Sequence, residues 1–379
     1  MEKKKPSVMA AGGAGQLKED VMDRNLCIGC GACVNLCPYF GNYRGRTVQL
    51  FDCDLAEGRC FAFCPKAGVD LECLSQAVHG RPYDGAALGH HREVVAARAG
   101  GRMPRGIFQG GGTVSALVAS ALRHGRAQAA VLTDRDGATP VARRVTHWRE
   151  VVACATSKFA AAPTLAAVNR AVADGVARLA VVGTPCQVTA VAQMRTNPVG
   201  RPDFVDPFAF TVGLFCNWSL DLRGLERLLA GRPGAAQAVR MDIPPPPADS
   251  MIVETADDRL EVPLKEVKSL IPETCFICPD MTSELADVSV GMFEGRPGWN
   301  TLIIRTRAGA EVVAQAEDEG FLEIDPLPAE RLEHLCLAAA EKKKRALRIL
   351  QRRNLVGEDR GAGRAALYIA QEVIENIFR

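Results

Sequence analysis

Residues 178–187, R-L-A-V-V-G-T-P-C-Q, decide the fold that this chain is expected to adopt. The apolar stretch Leu179–Gly183 predicts a short buried strand, and Cys186 follows directly after it. Other short strands alternate with Ala- and Leu-rich helices, the strands at 129–133 and 209–215 and the helices at 114–124 and 161–173. Such alternation is typical of a parallel α/β sheet, because parallel strands need a crossover connection between them.

Two cysteines are expected at one edge of this sheet. Cys216 ends the strand F-T-V-G-L-F-C, 30 positions after Cys186, which leaves room for one strand-helix-strand unit. Both thiols would lie at the carboxyl ends of parallel strands, where open α/β sheets place their ligands. Taken singly, each would more often be a buried structural thiol. Cys275 and Cys278, a chelating pair on a loop, complete a set of four that favours a 4Fe-4S cluster.

A ferredoxin-like run, C-I-G-C-G-A-C-V-N-L-C-P, spans residues 27–38. Three thiolates two residues apart surround one cubane, and the fourth, followed by proline, usually binds a different cluster. Cys64-Pro65 repeats the end of this run. The spacing therefore predicts one 4Fe-4S cluster on Cys27, Cys30, Cys33 and Cys64.

A further N-terminal cluster would use Cys37, Cys53 and Cys60, and this set is one ligand short. Cys73 could complete it, or the site could have three ligands or a ligand other than cysteine. The chain would thus hold two or three clusters. Zinc sites favour paired C-x-x-C knuckles instead of this run. Disulfides need an oxidising compartment, for which nothing in the sequence argues.

Composition limits the remaining possibilities. The 379 residues suit two or three domains, and 46 basic against 44 acidic residues give a net charge of +2, too small to indicate nucleic acid. No apolar run approaches the roughly 18 residues of a membrane span, and glycines interrupt the N-terminal apolar stretch before it reaches signal-peptide length. We therefore expect a soluble cytoplasmic protein whose 14 cysteines are metal ligands and reduced core thiols. Cys154 and Cys336 are expected to be inert.

The sequence divides into five expected segments. They are a disordered tail at 1–18, a small ferredoxin-like α+β cluster module at 19–80, a Gly- and Arg-rich linker at 81–104, an α/β domain with a mainly parallel sheet at 105–355, and C-terminal helices that end in a helix at 356–379. Within the α/β domain, Pro244–Pro247 predicts a stiff loop, and the stretches 251–254 and 260–263 predict a hairpin. An apolar stripe containing Leu367, Ile374 and Ile377 favours core packing over docking to a partner.

Several motifs occur in the order found in one known family. They are Gly183–Gln187, Gly213–Cys216, Val262–Glu266, Cys275–Cys278, Glu284–Gly291 and Gly298–Thr301. From about Arg105 to Leu355 the chain resembles the beta subunit of coenzyme F420-reducing hydrogenase and the related formate dehydrogenase beta subunits. The resemblance implies an α/β iron-sulfur flavoprotein that binds FAD. It would move electrons between the deazaflavin coenzyme F420 and the cluster on the four downstream cysteines.

The N-terminal cluster module resembles that of the longer family members, where it extends the electron path toward a partner enzyme. The partner would be a redox subunit of a hydrogenase, a formate dehydrogenase or a heterodisulfide-reductase-like enzyme. Hydride would pass between the deazaflavin and FAD, and FAD would exchange single electrons with the clusters. This scheme requires no acid-base residue, so no catalytic side chain is predicted.

The candidate phosphate site is the glycine-rich segment before the helix at 114–124. No G-x-G-x-x-G fingerprint follows a strand, so a conventional Rossmann site is not indicated. Gly111, Gly112 and Thr113 are the predicted contacts, because glycines let the backbone approach an anion and amides at a helix start favour negative charge. A plain flexible turn is the alternative.

Lys158, in a segment that matches the family, is a second candidate contact for a flavin or substrate phosphate, although a lone lysine is usually solvated. Asp287 and Glu284 could line the flavin site or have buried structural roles, with equal weight.

Two other functions stay open. The same relay could use NAD(P)H or ferredoxin, because the chain departs from the family at Gly110, Phe159 and Asn217-Trp218, and related proteins include chlorophyll-ring reductases. Alternatively, the chain could be a non-catalytic adaptor that only carries clusters between two partners. Flavin in the purified protein would distinguish the enzyme hypotheses from the adaptor hypothesis.

Overall fold

The computed structural model describes residues 12–232, 238–245, 247–359 and 364–379. Its strands in chain order are β1 Phe40–Tyr43, β2 Arg46–Gln49, β3 Val69–Asp70, β4 Glu93–Ala99, β5 Ala129–Asp136, β6 Thr139–Val145, β7 Leu179–Gly183, β8 Phe208–Leu214, β9 Arg240–Asp242, β10 Ser250–Glu254, β11 Arg259–Pro263, β12 Val288–Met292, β13 Asn300–Ile304, β14 Leu322–Pro326, β15 Val356–Gly357 and β16 Leu367–Tyr368.

The helices are α1 Ala14–Leu17, α2 Arg59–Ala62, α3 Leu71–His79, α4 Thr113–Arg123, α5 Thr164–Ala173, α6 Pro185–Thr196, α7 Leu222–Ala230, α8 Leu264–Lys268, α9 Glu273–Phe276, α10 Arg307–Asp318, α11 Ala329–Arg352 and α12 Gln371–Phe378. A π-helical turn spans Lys18–Met22, and a 3-10 helix spans Trp148–Cys154. In the part of the chain that the structure describes, no helix combines the length and the apolar character needed to cross a membrane.

An eight-stranded sheet forms the centre of the molecule, in the order β14-β4-β13-β12-β8-β7-β5-β6. Its middle strands β5, β7, β8 and β12 are parallel to their neighbours in that group, and the strands outside them add antiparallel pairs. The α/β fold with a parallel centre is therefore confirmed. The hairpin of β10 and β11 is also present, within a separate three-stranded sheet. Of the predicted proline loop, Pro246 lies outside the described residues.

The stretch at 178–187 folds as its pattern predicts. Every residue of β7 is buried, which matches an uninterrupted apolar strand in the middle of a sheet. Thr184 then begins α6 with a capping box to Gln187, and Pro185 occupies the first turn, where its missing N–H costs nothing. Cys186 consequently lies in the first turn of α6, at the carboxyl end of β7.

The predicted linker at 81–104 needs correction, because it contains β4. This strand pairs with β13 on one side and β14 on the other, and Ala96 and Ala97 are fully buried. The surrounding glycines and arginines concealed a short apolar strand whose partners lie more than 200 residues away. The sheet domain therefore begins near Glu93.

The predicted tail and terminal helix also differ from the structure. Ala14 and Leu17 are buried in α1, so residues 12–18 are ordered, while residues 1–11 lie outside the described residues. At the other end of the chain, β16 pairs with β3 of the cluster module before α12 begins. Ile374 and Ile377 are buried, so the apolar stripe packs into a core.

The cluster module and the C-terminal helices share one hydrophobic core. Buried members of this core from the two ends of the chain are Leu17, Leu26, Leu74, Leu347, Leu350, Ile374 and Ile377. The module is therefore not an independent unit joined by a linker, as the segment bounds suggested.

Candidate functional site

Four cysteines from separate elements meet at the carboxyl edge of the sheet. Cys186 lies in α6, Cys216 follows β8, and Cys275 and Cys278 belong to α9 and the loop after it. The thiol of Cys216 interacts with those of the other three. Burial raises the pKa of Cys216 and raises the pKa of Cys186 to about 11. We call these four residues the downstream group.

Two buried lysines accompany the downstream group. Lys342 Nζ donates hydrogen bonds to the carbonyl oxygens of Cys216 at 2.5 Å and Asp280 at 2.7 Å. Burial opposes the charge of Lys342, but the thiols of Cys278 and Cys216 and the Asp280 carboxylate together raise its pKa. The sequence analysis did not identify Lys342, because its position beside the downstream group depends on the packing of α11.

Lys66 is the second buried cation. Its Nζ lies 3.3 Å from the carbonyl oxygen of Thr274, next to Cys275. Burial raises the pKa values of Cys64 and Cys186, and the positive charge of Lys66 offsets part of both increases. Lys66 thus lies between the N-terminal and downstream cysteines, a position that depends on tertiary contacts.

The first N-terminal set, the inner group, is Cys27, Cys30, Cys33 and Cys64. The thiol of Cys64 interacts with those of Cys33 and Cys27, and the thiol of Cys30 interacts with Cys64 and Cys33. Gly31 has a φ of +81°, and a side chain there would lie 2.8 Å from the backbone nitrogen of Ala166. The run therefore needs glycine to pack against α5.

The second N-terminal set, the outer group, is Cys37, Cys53 and Cys60. The thiol of Cys60 interacts with those of Cys37 and Cys53, and the Cys37 side chain is exposed. Cys73 lies in α3, where its backbone N–H donates to Asp70. The structure brings three cysteines together here, and the identity of a fourth ligand stays open.

The three groups follow one another in space. Cys30 of the inner group interacts with Cys186 of the downstream group, and Cys33 interacts with Cys60 of the outer group. The inner group therefore lies between the other two. This order is the arrangement that an electron relay requires.

Sulfur spacing distinguishes a cluster from a single ion. Within the described ranges, no three His, Cys, Asp or Glu side chains are close enough to hold one metal ion. A tetrahedral zinc ion holds each sulfur at about 2.3 Å. A four-iron cluster binds each thiolate through a different iron, so its ligands stand farther apart. The lack of a single-ion site among the described residues is therefore compatible with clusters on these thiols.

A cavity of about 700 Å³ joins the glycine-rich segment to the downstream group. Its lining includes Gly112, Thr113 and Lys158, all four downstream cysteines, and Cys27 of the inner group. Gly111 packs beneath the cavity wall, where a side chain would lie 2.9 Å from Asn300 Oδ1. The predicted phosphate contacts and the predicted cluster ligands thus border the same space.

The first turn of α4 suits an anion. Gly112 is the residue before the helix, has a φ of +79° and provides no side-chain cap. The Thr113 side chain is occupied, because its hydroxyl donates to the Ala97 carbonyl. Val114 and Ser115 also line the cavity, and amides in a first helical turn lack partners within the helix. These amides could therefore bind a phosphate.

Lys158 has less freedom than its sequence suggested. Its Nζ donates to the carbonyl oxygens of Cys154 at 2.5 Å, Ala155 at 2.7 Å and Thr156 at 3.0 Å. An ammonium group has three donors, so each already has an acceptor. Burial lowers the pKa of Lys158 to about 8 and raises that of Cys154 to about 11. Lys158 contributes positive charge to the cavity and caps the end of the 3-10 helix.

The loop around Lys158 adopts a strained conformation. Thr156 has a φ of +74° and Phe159 a φ of +25°, which residues with side chains rarely adopt. The backbone N–H of Leu220 donates to the Phe159 carbonyl at 2.7 Å and holds the loop in place. The positions at which the sequence departs from the family, Gly110, Phe159, Asn217 and Trp218, all line the cavity.

Asp287 and Glu284 have structural partners. Asp287 accepts hydrogen bonds from the Thr211 amide and hydroxyl and from the Thr306 hydroxyl. Glu284 forms a buried ion pair with Lys343 at 2.9 Å. Neither carboxylate is part of the cavity lining. The structure therefore favours the buried structural role for both.

Comparison with known proteins gives the same assignment across most of the chain. Residues 94–169 and 176–330 match the N-terminal and C-terminal models of the coenzyme F420 hydrogenase/dehydrogenase beta subunit. Residues 21–40 match a 4Fe-4S binding domain.

Relatives of this family cover different parts of the chain. The coenzyme F420 hydrogenase subunit beta of Methanothermobacter thermautotrophicus is 30% identical, over 71% of this chain and 98% of that protein. The coenzyme F420-dependent sulfite reductase of Methanocaldococcus jannaschii is 25% identical, over 86% of this chain and 51% of that protein.

A solved structure supports the fold. One chain of the F420-reducing [NiFe] hydrogenase complex from Methanosarcina barkeri superposes with a TM-score of 0.63 and 25% identity, covering 70% of this chain and 94% of that one. Sequence, fold and the collinear cysteine motifs therefore agree. The chain belongs to the coenzyme F420 hydrogenase/dehydrogenase beta subunit family of oxidoreductases.

Proposed function

We propose that this chain is an iron-sulfur flavoprotein subunit that moves electrons between coenzyme F420 and a partner redox subunit. The observation that carries the proposal is a cavity bordered both by the start of α4, whose free amides could bind a phosphate, and by four convergent cysteines. Bound FAD would convert hydride transfer into one-electron transfer. The partner would belong to a hydrogenase, a formate dehydrogenase or a heterodisulfide-reductase-like enzyme, in a reducing cytoplasm where thiols stay free.

The residues of the cavity fit a flavin nucleotide. The volume of the cavity lies within the roughly 300–1,000 Å³ range of small-molecule sites. The amides of Val114 and Ser115 would bind a phosphate, with the charge of Lys158 nearby. Phe108, Phe215 and Trp218 supply aromatic walls for a flat ring. These side chains would orient the ring and exclude water from it.

The cysteine groups would hold clusters in the order downstream, inner, outer. Four thiolates place concentrated negative charge in a buried site, which is unfavourable without compensation. Lys342 beside the downstream group and Lys66 between the downstream and inner groups supply that compensation. The inner group lies within interaction distance of both others, so no intermediate carrier is needed.

The identity of the hydride carrier is tested by rapid mixing. Oxidised, reconstituted protein is mixed with reduced coenzyme F420, NADH or NADPH, and flavin absorbance near its oxidised maximum is followed. We expect rapid bleaching by reduced F420 alone. Bleaching by NADH alone would reject the coenzyme and keep the relay. Bleaching by none of them would favour the non-catalytic adaptor.

A further inference from the structure

Large apolar side chains are exposed in one short segment beside the outer group. Leu50, Phe51 and Leu55 are 55%, 61% and 65% exposed, and they flank Cys53. They are three of the ten large apolar side chains that are strongly exposed among the described residues. Exposed apolar residues on soluble proteins are usually scattered, so a concentration of this kind indicates an interaction surface.

The segment lies against the loop that carries Cys37. The backbone N–H of Leu50 donates to the Tyr39 carbonyl at 2.7 Å, and the rings of Phe51 and Tyr39 meet edge to face at 6.1 Å. Tyr39 follows Cys37 by two residues, and the Cys37 side chain is exposed. The apolar segment therefore borders the most accessible thiol of the outer group.

Acidic residues alternate with these apolar residues along the segment. Asp52, Asp54 and Glu57 are exposed, and Arg59 is the only basic residue between positions 50 and 59. Lys18, which interacts with Asp52, is itself paired with Asp23 at 2.8 Å. The segment thus keeps an excess of negative charge. We call residues 50–57 together with Cys37 the Phe51 surface.

We propose that the Phe51 surface docks a one-electron carrier protein that presents a basic rim around an exposed redox group. This inference rests on the proposed function, in which the outer group is the last station of the relay. The apolar centre would exclude water between the two redox groups, and the acidic rim would attract and orient the partner. A second copy of this chain would bring the same acidic rim into contact, and like charges would oppose that pairing.

The step at this surface moves one electron and no atoms. Cys37, Cys53 and Cys60 would hold the donor cluster, which would return to its oxidised state as one oxidised centre of the partner is reduced. No bond forms or breaks, and no proton has to cross the interface.

Ferric cytochrome c is a suitable probe, because it is basic, exposes its haem edge and accepts one electron. Full-length protein reconstituted with clusters and flavin is reduced with dithionite, desalted without oxygen and mixed with the probe. The triple variant Asp52→Asn, Asp54→Asn, Glu57→Gln should lower the second-order rate constant about tenfold at low ionic strength, and added salt should shrink the difference. Phe51→Ser should lower the rate about threefold at any salt concentration, because apolar contact is not screened.

A matched control removes the same number of negative charges elsewhere. The variant Asp257→Asn, Asp258→Asn, Glu261→Gln, on the β10–β11 hairpin, should keep the rate within about twofold of wild type. Equal slowing by this control would overturn docking at the Phe51 surface. Unchanged paramagnetic resonance signals of the reduced clusters in each variant show that the fold and the clusters survive.

Reduction of duroquinone, a small neutral oxidant, separates the two proposals. If duroquinone is reduced while both surface variants reduce cytochrome c at the wild-type rate, the Phe51 surface is rejected and the relay stands. If the clusters are reduced but neither oxidant accepts electrons, the relay to the outer group and its docking site are both rejected. A wild-type dimer that Phe51→Ser dissociates would assign the surface to a second copy instead.

Discussion

The downstream and outer cysteine groups have opposite surroundings within one chain. The downstream thiols are held by a strand end, a helix start and a loop, and Lys342 and Lys66 lie beside them in the interior. The outer group includes the exposed Cys37, and its neighbours are acidic. A buried cation stabilises the negative charge that a cluster gains on reduction, whereas an acidic surface does not. This contrast predicts a higher reduction potential for a cluster on the downstream group than for one on the outer group.

The largest effect should come from removing the module that carries the inner and outer groups. A chain that begins at residue 81 loses Leu17, Leu26 and Leu74 from the shared core and β3 from beside β16. Several kcal/mol would be lost with each large buried side chain, so the fragment should be insoluble. The soluble yield and the circular dichroism spectrum of the fragment show whether it folds.

The matched control is a chain that begins at residue 12, which keeps every described member of the core and should fold. A soluble, flavin-binding fragment that begins at residue 81 would contradict this prediction. It would show that the cluster module and the sheet domain fold independently, so that the downstream and outer groups belong to two separate domains.

A cysteine substitution should separate the groups without unfolding the chain. Cys275→Ser or Cys278→Ser should lower the iron content by one cluster and stop electron transfer from flavin, while the signals of the N-terminal clusters remain. The reason is that these two thiols belong to the downstream group alone. Iron analysis and paramagnetic resonance provide the measurement.

Cys336→Ser is the control for this experiment, since Cys336 lies in α11 outside the three groups. Unchanged iron stoichiometry in both the Cys275 and Cys278 variants would remove the downstream cluster from the proposed relay.

A smaller effect is expected from the buried lysines. Lys342→Met should lower the reduction potential of the downstream cluster by roughly 50–100 mV, about a tenfold change in a one-electron equilibrium for each 59 mV. Lys66→Met should lower the potentials of the downstream and inner clusters together, because Lys66 interacts with Cys186 and Cys64. Redox titration followed by paramagnetic resonance distinguishes the clusters.

Lys344→Met, two residues along α11 and partly exposed, is the matched control and should leave every potential unchanged. Potentials that stay fixed in both the Lys342 and Lys66 variants would contradict the electrostatic contrast between the two groups.

Local patterns in the sequence predicted what depends on local spacing. The run at 27–38, the strand-turn-helix at 178–187 and the hairpin of β10 and β11 are each defined within a few residues. By contrast, β4 needs partners from β13 and β14, and its own sequence is short and surrounded by glycines. Lys66 and Lys342 become neighbours of the downstream group only through tertiary packing. No periodicity or spacing in the sequence could have placed them there.

The smallest expected effect concerns two neighbouring titrating groups, the buried Glu284 and the half-buried His79 of α3. Burial raises the pKa of Glu284 to about 7, and burial lowers the pKa of His79 to about 4. Between about pH 4.5 and 7 the folded chain therefore holds a proton at Glu284 that the unfolded chain has lost. The contribution of this carboxyl to the free energy of unfolding falls as the pH rises. Between about pH 4 and 6.5 the unfolded chain binds a proton at His79 that the folded chain does not. The contribution of this imidazole to the free energy of unfolding falls as the pH falls.

The two contributions oppose each other between about pH 4.5 and 6.5, each with a limiting slope of about 1.4 kcal/mol per pH unit. Glu284→Gln should therefore make the free energy of unfolding fall more steeply on acidification from pH 6.5 to 5.5, and His79→Gln should make it rise. Denaturant titrations at both pH values measure the slopes, and Glu341→Gln, an exposed residue of α11, is the control. Parallel slopes in wild type and both variants would show that neither group titrates differently in the folded chain. Slopes of the expected opposite signs would show that Glu284 and His79 make opposite contributions to the pH dependence of the free energy of unfolding, which offset each other in the wild type.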